Sequence, residues 1–302
     1  MDQERKKIPA EAVDLYTRFI HGEISRRAFV NGLKQYAVVG LTAGALMDAL
    51  MPNYALGQQV SKDDERILTS YETIPSPDGN GYIRGYFARP FSANTRDATP
   101  AKLPGVIVVH ENRGLNPHTE DVARRFALEN FNAFAPDGLS SVGGYPGDDE
   151  KGLALFGQID RAKMAEDFLA AARWLRARPD SSGKLGAIGF CFGGGVVNQL
   201  AVQMGDELAA GVPFYGAQPT PAEAARIKAP INAQYGALDT RITDGWAAFD
   251  AALTAAGVPH EGHIYPAANH GFHNDTTPRY DDAAAKEAWQ HTLRWFGRYL
   301  AG

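Results

Sequence analysis

Cysteine is almost missing from this chain: one residue in 302, which excludes an intramolecular disulfide and leaves too few thiolates for a structural zinc site. A basic block is missing too. Thirty Lys and Arg against thirty-five Asp and Glu give a formal charge of -5, and phosphate binding needs clustered cations, so nucleic acid is not the expected partner. No uninterrupted apolar run reaches the roughly 20 residues of a spanning helix. Repeats and low-complexity tracts are absent as well. What is present, 44% hydrophobic and 22% charged residues, is the ordinary make-up of a water-soluble α/β protein.

The first 57 residues differ in character from the rest. Residues 1–24 are polar and charged, Ser25-Arg26-Arg27-Ala28-Phe29-Val30 follows, and a short apolar stretch Ala37–Leu46 ends at Asp48 and Pro52. Small residues at Ala55-Leu56-Gly57 complete the layout of an export leader. The paired arginines resemble the bacterial twin-arginine signal, which implies export of the folded chain to the periplasm and a mature start near residue 58. The competing expectation is a cytoplasmic protein in which residues 10–36 form an amphipathic helix packed on the domain or on a second subunit, as in a homodimer. Leu15, Phe19, Ile20, Phe29 and Leu33 do not make one clean stripe at helical period.

Residues 58–302 read as a single domain. Runs 66–74 and 81–88 flank Pro77-Asp78-Gly79-Asn80 as a β-hairpin. Pro104–His110 is a β-branched run of the kind buried on both faces of a parallel sheet. Further strand-like runs at 132–136, 185–190, 211–215, 230–235 and 261–265 alternate with helical patterns at 119–129, 162–177, 193–204, 244–255 and 281–300. That alternation predicts a doubly wound, mostly parallel α/β sheet with an antiparallel edge.

Gly189-Phe190-Cys191-Phe192-Gly193-Gly194 lies between a strand and a helix, the context of a nucleophile elbow, with cysteine at the nucleophile position. The helix N-terminus behind Cys191 favours thiolate. Read alone, the same residues also suit a buried core cysteine with glycines for close packing. A dinucleotide loop fails, because Asn198 stands where the third glycine is required. Asp239 and His270 each follow a later strand. Nucleophile, acid, histidine is the chain order of α/β-hydrolases, with every member at a strand's carboxyl end. No metal or cofactor is expected. His110-Glu111 begins like a zinc-protease motif but lacks the second histidine, and no carboxylate spacing completes a site around His260, His263, His270 and His273. Arg113, Tyr145, Trp246 and Phe272 are candidate pocket residues, and Ser141–Asp148 is a candidate flap.

On Gly-Phe-Cys-Phe-Gly-Gly, the Asp239 segment and Asn269-His270-Gly271-Phe272, residues 66–300 resemble the dienelactone hydrolase, or carboxymethylenebutenolidase-like, family of α/β-hydrolases. The resemblance implies a Cys191–Asp239–His270 triad that hydrolyses small esters or lactones through a thioester. It implies that Glu111 contacts and helps activate the thiol, and that the backbone N–H groups of Asn112 and Phe192 form the oxyanion hole. The family's carboxylate-binding arginine four residues after the histidine is Asn274 here. The alternative in another class is a catalytically silent scaffold used for binding.

Overall fold

The computed structural model describes residues 8–36, 42–91 and 102–300. Four short helices come first: α1 (Ala10–Ile20), α2 (Arg26–Leu33), α3 (Ala43–Leu50) and α4 (Tyr54–Gly57). The domain then runs β1 (Ile67–Ser76), β2 (Gly81–Pro90), β3 (Leu103–Val109), α5 (Pro117–Leu128), β4 (Asn132–Pro136), α6 (Asp149–Phe156) and α7 (Arg161–Ala177). It continues with β5 (Ser181–Phe190), α8 (Phe192–Met204), β6 (Ala210–Phe214), α9 (Pro221–Ala224) and β7 (Ile231–Gly236). The last elements are α10 (Thr240–Thr243), α11 (Trp246–Ala255), β8 (His260–Tyr265) and α12 (Asp282–Leu300). Among the described residues, no helix is long and apolar enough to cross a membrane.

The eight strands form one sheet in the order β1-β2-β4-β3-β5-β6-β7-β8. β1 and β2 pair as the expected hairpin, with Ser76 opposite Gly81 at its tip, and β2 also runs antiparallel to β4. From β4 to β8 every pairing is parallel. Parallel neighbours need crossovers, and right-handed crossovers put helices on both faces. On one face α7, α8 and α11 bury Phe168, Leu175, Val197, Leu200 and Phe249 against the sheet; on the other, α5 and α12 bury Val122, Phe126, Trp295, Phe296 and Leu300. Burying each such side chain contributes roughly 1.5–3 kcal/mol, which is why these strands carry apolar runs rather than alternation.

The N-terminal segment does not form the single helix that one amphipathic stripe would need. Gly22, at φ +75°, turns the chain between α1 and α2, and Ser25 restarts it by accepting the Ala28 N–H at 3.2 Å. Two helices meeting at an angle present their apolar residues from different registers, so no common stripe can exist. Tyr16, Ile20, Phe29, Leu33, Leu46 and Leu50 instead make a small separate core, with Phe19 stacked on Phe29 at 4.8 Å. The part of the apolar stretch at 37–41 lies outside the described residues.

This segment is tied to the domain by polar contacts. Asn112 Nδ2 donates to Ile20 O at 2.9 Å, Arg26 pairs with Glu150 at 3.0 Å, and the Tyr54 hydroxyl donates to Asp149 at 2.6 Å. Past residue 57 the anchoring is more deeply buried. The Gln59 and Val60 N–H groups donate to the two oxygens of Asp121 at 3.1 and 2.9 Å, and Arg124 Nε donates back to Val60 O at 2.9 Å.

Candidate active site

Cys191 sits between β5 and α8 at φ 55°, ψ −113°, a backbone region that a residue with a Cβ occupies only when its surroundings compel it. The crowding is visible in the glycines. A Cβ on Gly189 would lie 2.2 Å from Gly193 O, and one on Gly193 would lie 2.3 Å from Val109 O. The turn is thereby pressed onto β3, and the thiol projects from the sheet's carboxyl edge over the first turn of α8.

His270 reaches the same point from the loop after β8, and Asp239 from the end of β7. Asp239 opens α10, yet its carboxylate makes no cap hydrogen bond; it accepts from His270 Nδ1 at 2.6 Å. That contact fixes the tautomer and leaves His270 Nε2 facing the thiol. Burial opposes a charged imidazole, but Cys191 and the Asp239 hydrogen bond outweigh it and raise the His270 pKa from 6.5 to about 9. A raised histidine pKa stabilises the fold fully below 6.5, and the contribution is lost as pH climbs through about 9. Asp239→Asn is expected to lower the His270 value part of the way toward 6.5, and Cys191→Ala to lower it further. Imidazole proton NMR titration checks this; an unmoved value in both variants would contradict the assigned causes.

The residue that sequence reasoning missed is His21. It caps the end of α1, its Nε2 lies 3.2 Å from His270 Nε2 and 3.7 Å from Cys191 Sγ, and its ring meets His270 edge-on at 4.6 Å. Burial, then the neighbouring His270, hold its pKa down to about 2, so it is neutral. No sequence signal pointed to it, since it lies 170 residues from Cys191 in a stretch that reads as a leader.

These groups line a cavity of about 500 Å³, together with Asn112, Phe192, Tyr215, Arg161 and Arg241. The volume suits a small molecule. Asn112 follows β3 and Phe192 opens α8, and both line the cavity beside Cys191. Arg161 starts α7 with its guanidinium 3.9 Å over the Phe156 ring, and Arg241 reaches within 3.9 Å of Asp239 Oδ1. The cavity therefore carries two guanidinium groups although Asn274 does not line it. Asn274 is buried in its own loop, where Oδ1 accepts from the Thr276 N–H and hydroxyl at 3.1 and 2.6 Å.

Three expectations need correction. Glu111 does not bond the thiol: its Oε2 pairs with Arg279 at 3.8 Å, and although burial alone would raise its pKa, Arg279, His118 and Arg113 together lower it. Arg113 and Tyr145 do not line the cavity, because both are drawn to Asp149, at 3.4 and 2.8 Å. Asp149 sits in the first turn of α6. The glycine-rich stretch 141–148 is pinned by the Tyr145 N–H to Asp137 at 2.7 Å, and Trp246 and Phe272 pack into core. His110 is structural as well, accepting the Gly138 N–H at 2.9 Å.

An open-edged, mostly parallel sheet with a strained cysteine elbow after β5, an aspartate after β7 and a histidine after β8 defines an α/β-hydrolase fold. The profile of the dienelactone hydrolase family matches residues 84–300, and the chain belongs to that family. It is similar to the "Putative carboxymethylenebutenolidase" of Salmonella typhimurium, 32% identical over 251 residues that cover 78% of this chain and 89% of that one. It is also similar to the "Putative hydrolase fragment YghX" of Escherichia coli, 55% identical over 120 residues, 40% of this chain and 97% of that one. The crystal structure titled "Putative Dienelactone Hydrolase" from Klebsiella pneumoniae superposes with TM-score 0.67 at 31% identity, covering 77% of this chain and 99% of that one.

Proposed function

We propose that the chain is a cysteine-dependent hydrolase of small esters or lactones, with Cys191 as nucleophile, His270 as proton carrier and Asp239 as its orienting partner. The observation that carries the reading is the 2.6 Å His270–Asp239 contact beside a thiol held in a strained elbow. Sγ attacks the acyl carbon, and the oxyanion that forms is met by the N–H groups of Asn112 and Phe192, each donor worth roughly 3–4 kcal/mol. The His270 Nε2 proton goes to the departing oxygen, leaving a thioester. His270 then takes a proton from water, which attacks the thioester, and the acid departs as the thiol is restored. Because His21 Nε2 lies 3.2 Å from His270 Nε2 and 3.7 Å from Sγ, turnover in the full-length chain requires that ring to make room for the substrate.

A chromogenic ester panel run on wild type and Cys191→Ala tests the reading. Activity confined to wild type supports it; silence of both would favour a binding scaffold.

We also propose that residues 1–57 serve as a twin-arginine leader and that the mature chain, starting near residue 58, works in the periplasm. The Ser25–Val30 motif supports this, and so does the anchoring, because Gln59 and Val60 hold the new end to Asp121 after a cut at 57. Intact mass measurement on protein from its native cell is expected to find a chain beginning near residue 58. A species spanning residues 2–302 would retire export in favour of a cytoplasmic protein with a permanently docked segment.

A further inference from the structure

We infer that His21, Cys191 and His270 form a binding site for a thiophilic divalent cation of the zinc class, complete only while the N-terminal segment is docked. The three ligand atoms all lie within 4.8 Å of one another. Two edges are shorter, 3.2 Å between the Nε2 atoms and 3.7 Å from His21 Nε2 to Sγ. A tetrahedral zinc ion with bonds of about 2.05 Å to nitrogen and about 2.3 Å to sulfur requires edges of roughly 3.3 and 3.6 Å. Two of the three edges are thus close to coordination geometry before any ion arrives, and the third, Cys191 to His270, lies within 4.8 Å and closes as the ion binds.

Three potential ligand atoms, two imidazole nitrogens and a sulfur, converge on one point. A cation satisfies all three. Thiolate and imidazole are the donors zinc prefers. His270 already has the outer partner of a metal-binding imidazole, since Nδ1 donates to Asp239 at 2.6 Å and directs Nε2 inward. The thiolate and the Asp239 carboxylate set negative charge against the Arg241 guanidinium nearby. The fourth position opens on the cavity and takes water.

The balance is simple. Cys191 and His270 must both be unprotonated to coordinate. His21 binds as the neutral ring. The ion engages the nucleophile and the base together, so hydrolysis stops while it is held. It also bridges α1 to the elbow, so that the N-terminal segment and the domain are joined through the metal.

The test uses the full chain, stripped with a chelator and titrated with Co²⁺ and then Zn²⁺. Wild type is expected to bind one equivalent, to show a thiolate-to-cobalt charge-transfer band, and to lose that band as Zn²⁺ displaces the cobalt. His21→Ala and His21→Gln are expected to weaken binding by at least about tenfold, with circular dichroism melting confirming that each is folded. Cys191→Ser is expected to lose the charge-transfer band. Affinity unchanged in both His21 variants, or no band in wild type, overturns the inference. The band does not depend on turnover, so a chain that binds cobalt this way yet hydrolyses no ester after the metal has been stripped would sink the hydrolase reading and leave the metal site standing.

Discussion

Cys191→Ala is expected to lower kcat/KM for aryl esters by roughly 10⁴-fold or more, the scale seen when a nucleophile is deleted from a unit whose members act together. The substitution removes Sγ without disturbing the elbow. Alanine carries the same Cβ through the φ of 55°, and the glycines that crowd the turn are untouched. Measured above about pH 9, where the raised His270 pKa no longer adds stability, melting temperature should move little, which separates loss of chemistry from loss of fold. Cys191→Ser should also be strongly impaired. A hydroxyl has a far higher pKa, and His270, held near 9 largely by a neighbouring thiolate, is matched to a thiol. A thiol alkylator should reproduce the alanine result in wild type. Full activity in Cys191→Ala would remove the mechanism.

The second large effect concerns which bonds break. Thiolate leaves a tetrahedral intermediate more readily than alkoxide or amide nitrogen. Attack by Cys191 therefore tends to reverse unless the substrate's own leaving group is comparably good. Enol lactones escape because the departing enolate collapses to a ketone, and aryl esters escape because phenolate is stable. Alkyl esters and amides depend on the His270 proton, help worth about 10²–10⁴-fold in general acid catalysis. For matched derivatives of one small acid, kcat/KM should fall at least about 10²-fold from aryl to alkyl ester, with the amide essentially inert. Comparable cleavage of the amide would overturn the leaving-group argument and point to a protease-like site. Arg161 and Arg241 line the cavity, and an added acyl-chain carboxylate tests whether they replace the arginine absent at Asn274.

The parts of this molecule that were legible in its sequence are those governed by local rules. β3 shows as a β-branched run and β4 as a short, mostly apolar one because burial on both faces favours apolar residues along the strand. Cys191, Asp239 and His270 show because an elbow needs glycines on either side, and because a parallel sheet delivers strand ends to one edge. Glu111 was placed correctly at the end of β3, but its partner Arg279 comes from the loop before α12, a tertiary pairing without a sequence periodicity. Tyr145 looked like a flap residue because glycines surround it, and only the fold shows Asp137 and Asp149 holding it down. His21 was illegible for a different reason. Its position depends on how α1 docks, through Ile20 O on Asn112, and nothing near residue 21 encodes residue 112.

That docking has an evolutionary consequence. The family match covers residues 84–300, whereas one wall of the cavity is supplied by residue 21. A wall built from outside the shared domain can be replaced by recombination at one end of a gene, without altering a strand, a crossover or the elbow. Lineages that keep, trade or drop such a terminal segment would inherit the same chemistry with a different door. Wherever that segment stays attached, substrate range would then follow the history of the first fifty codons rather than that of the hydrolase itself.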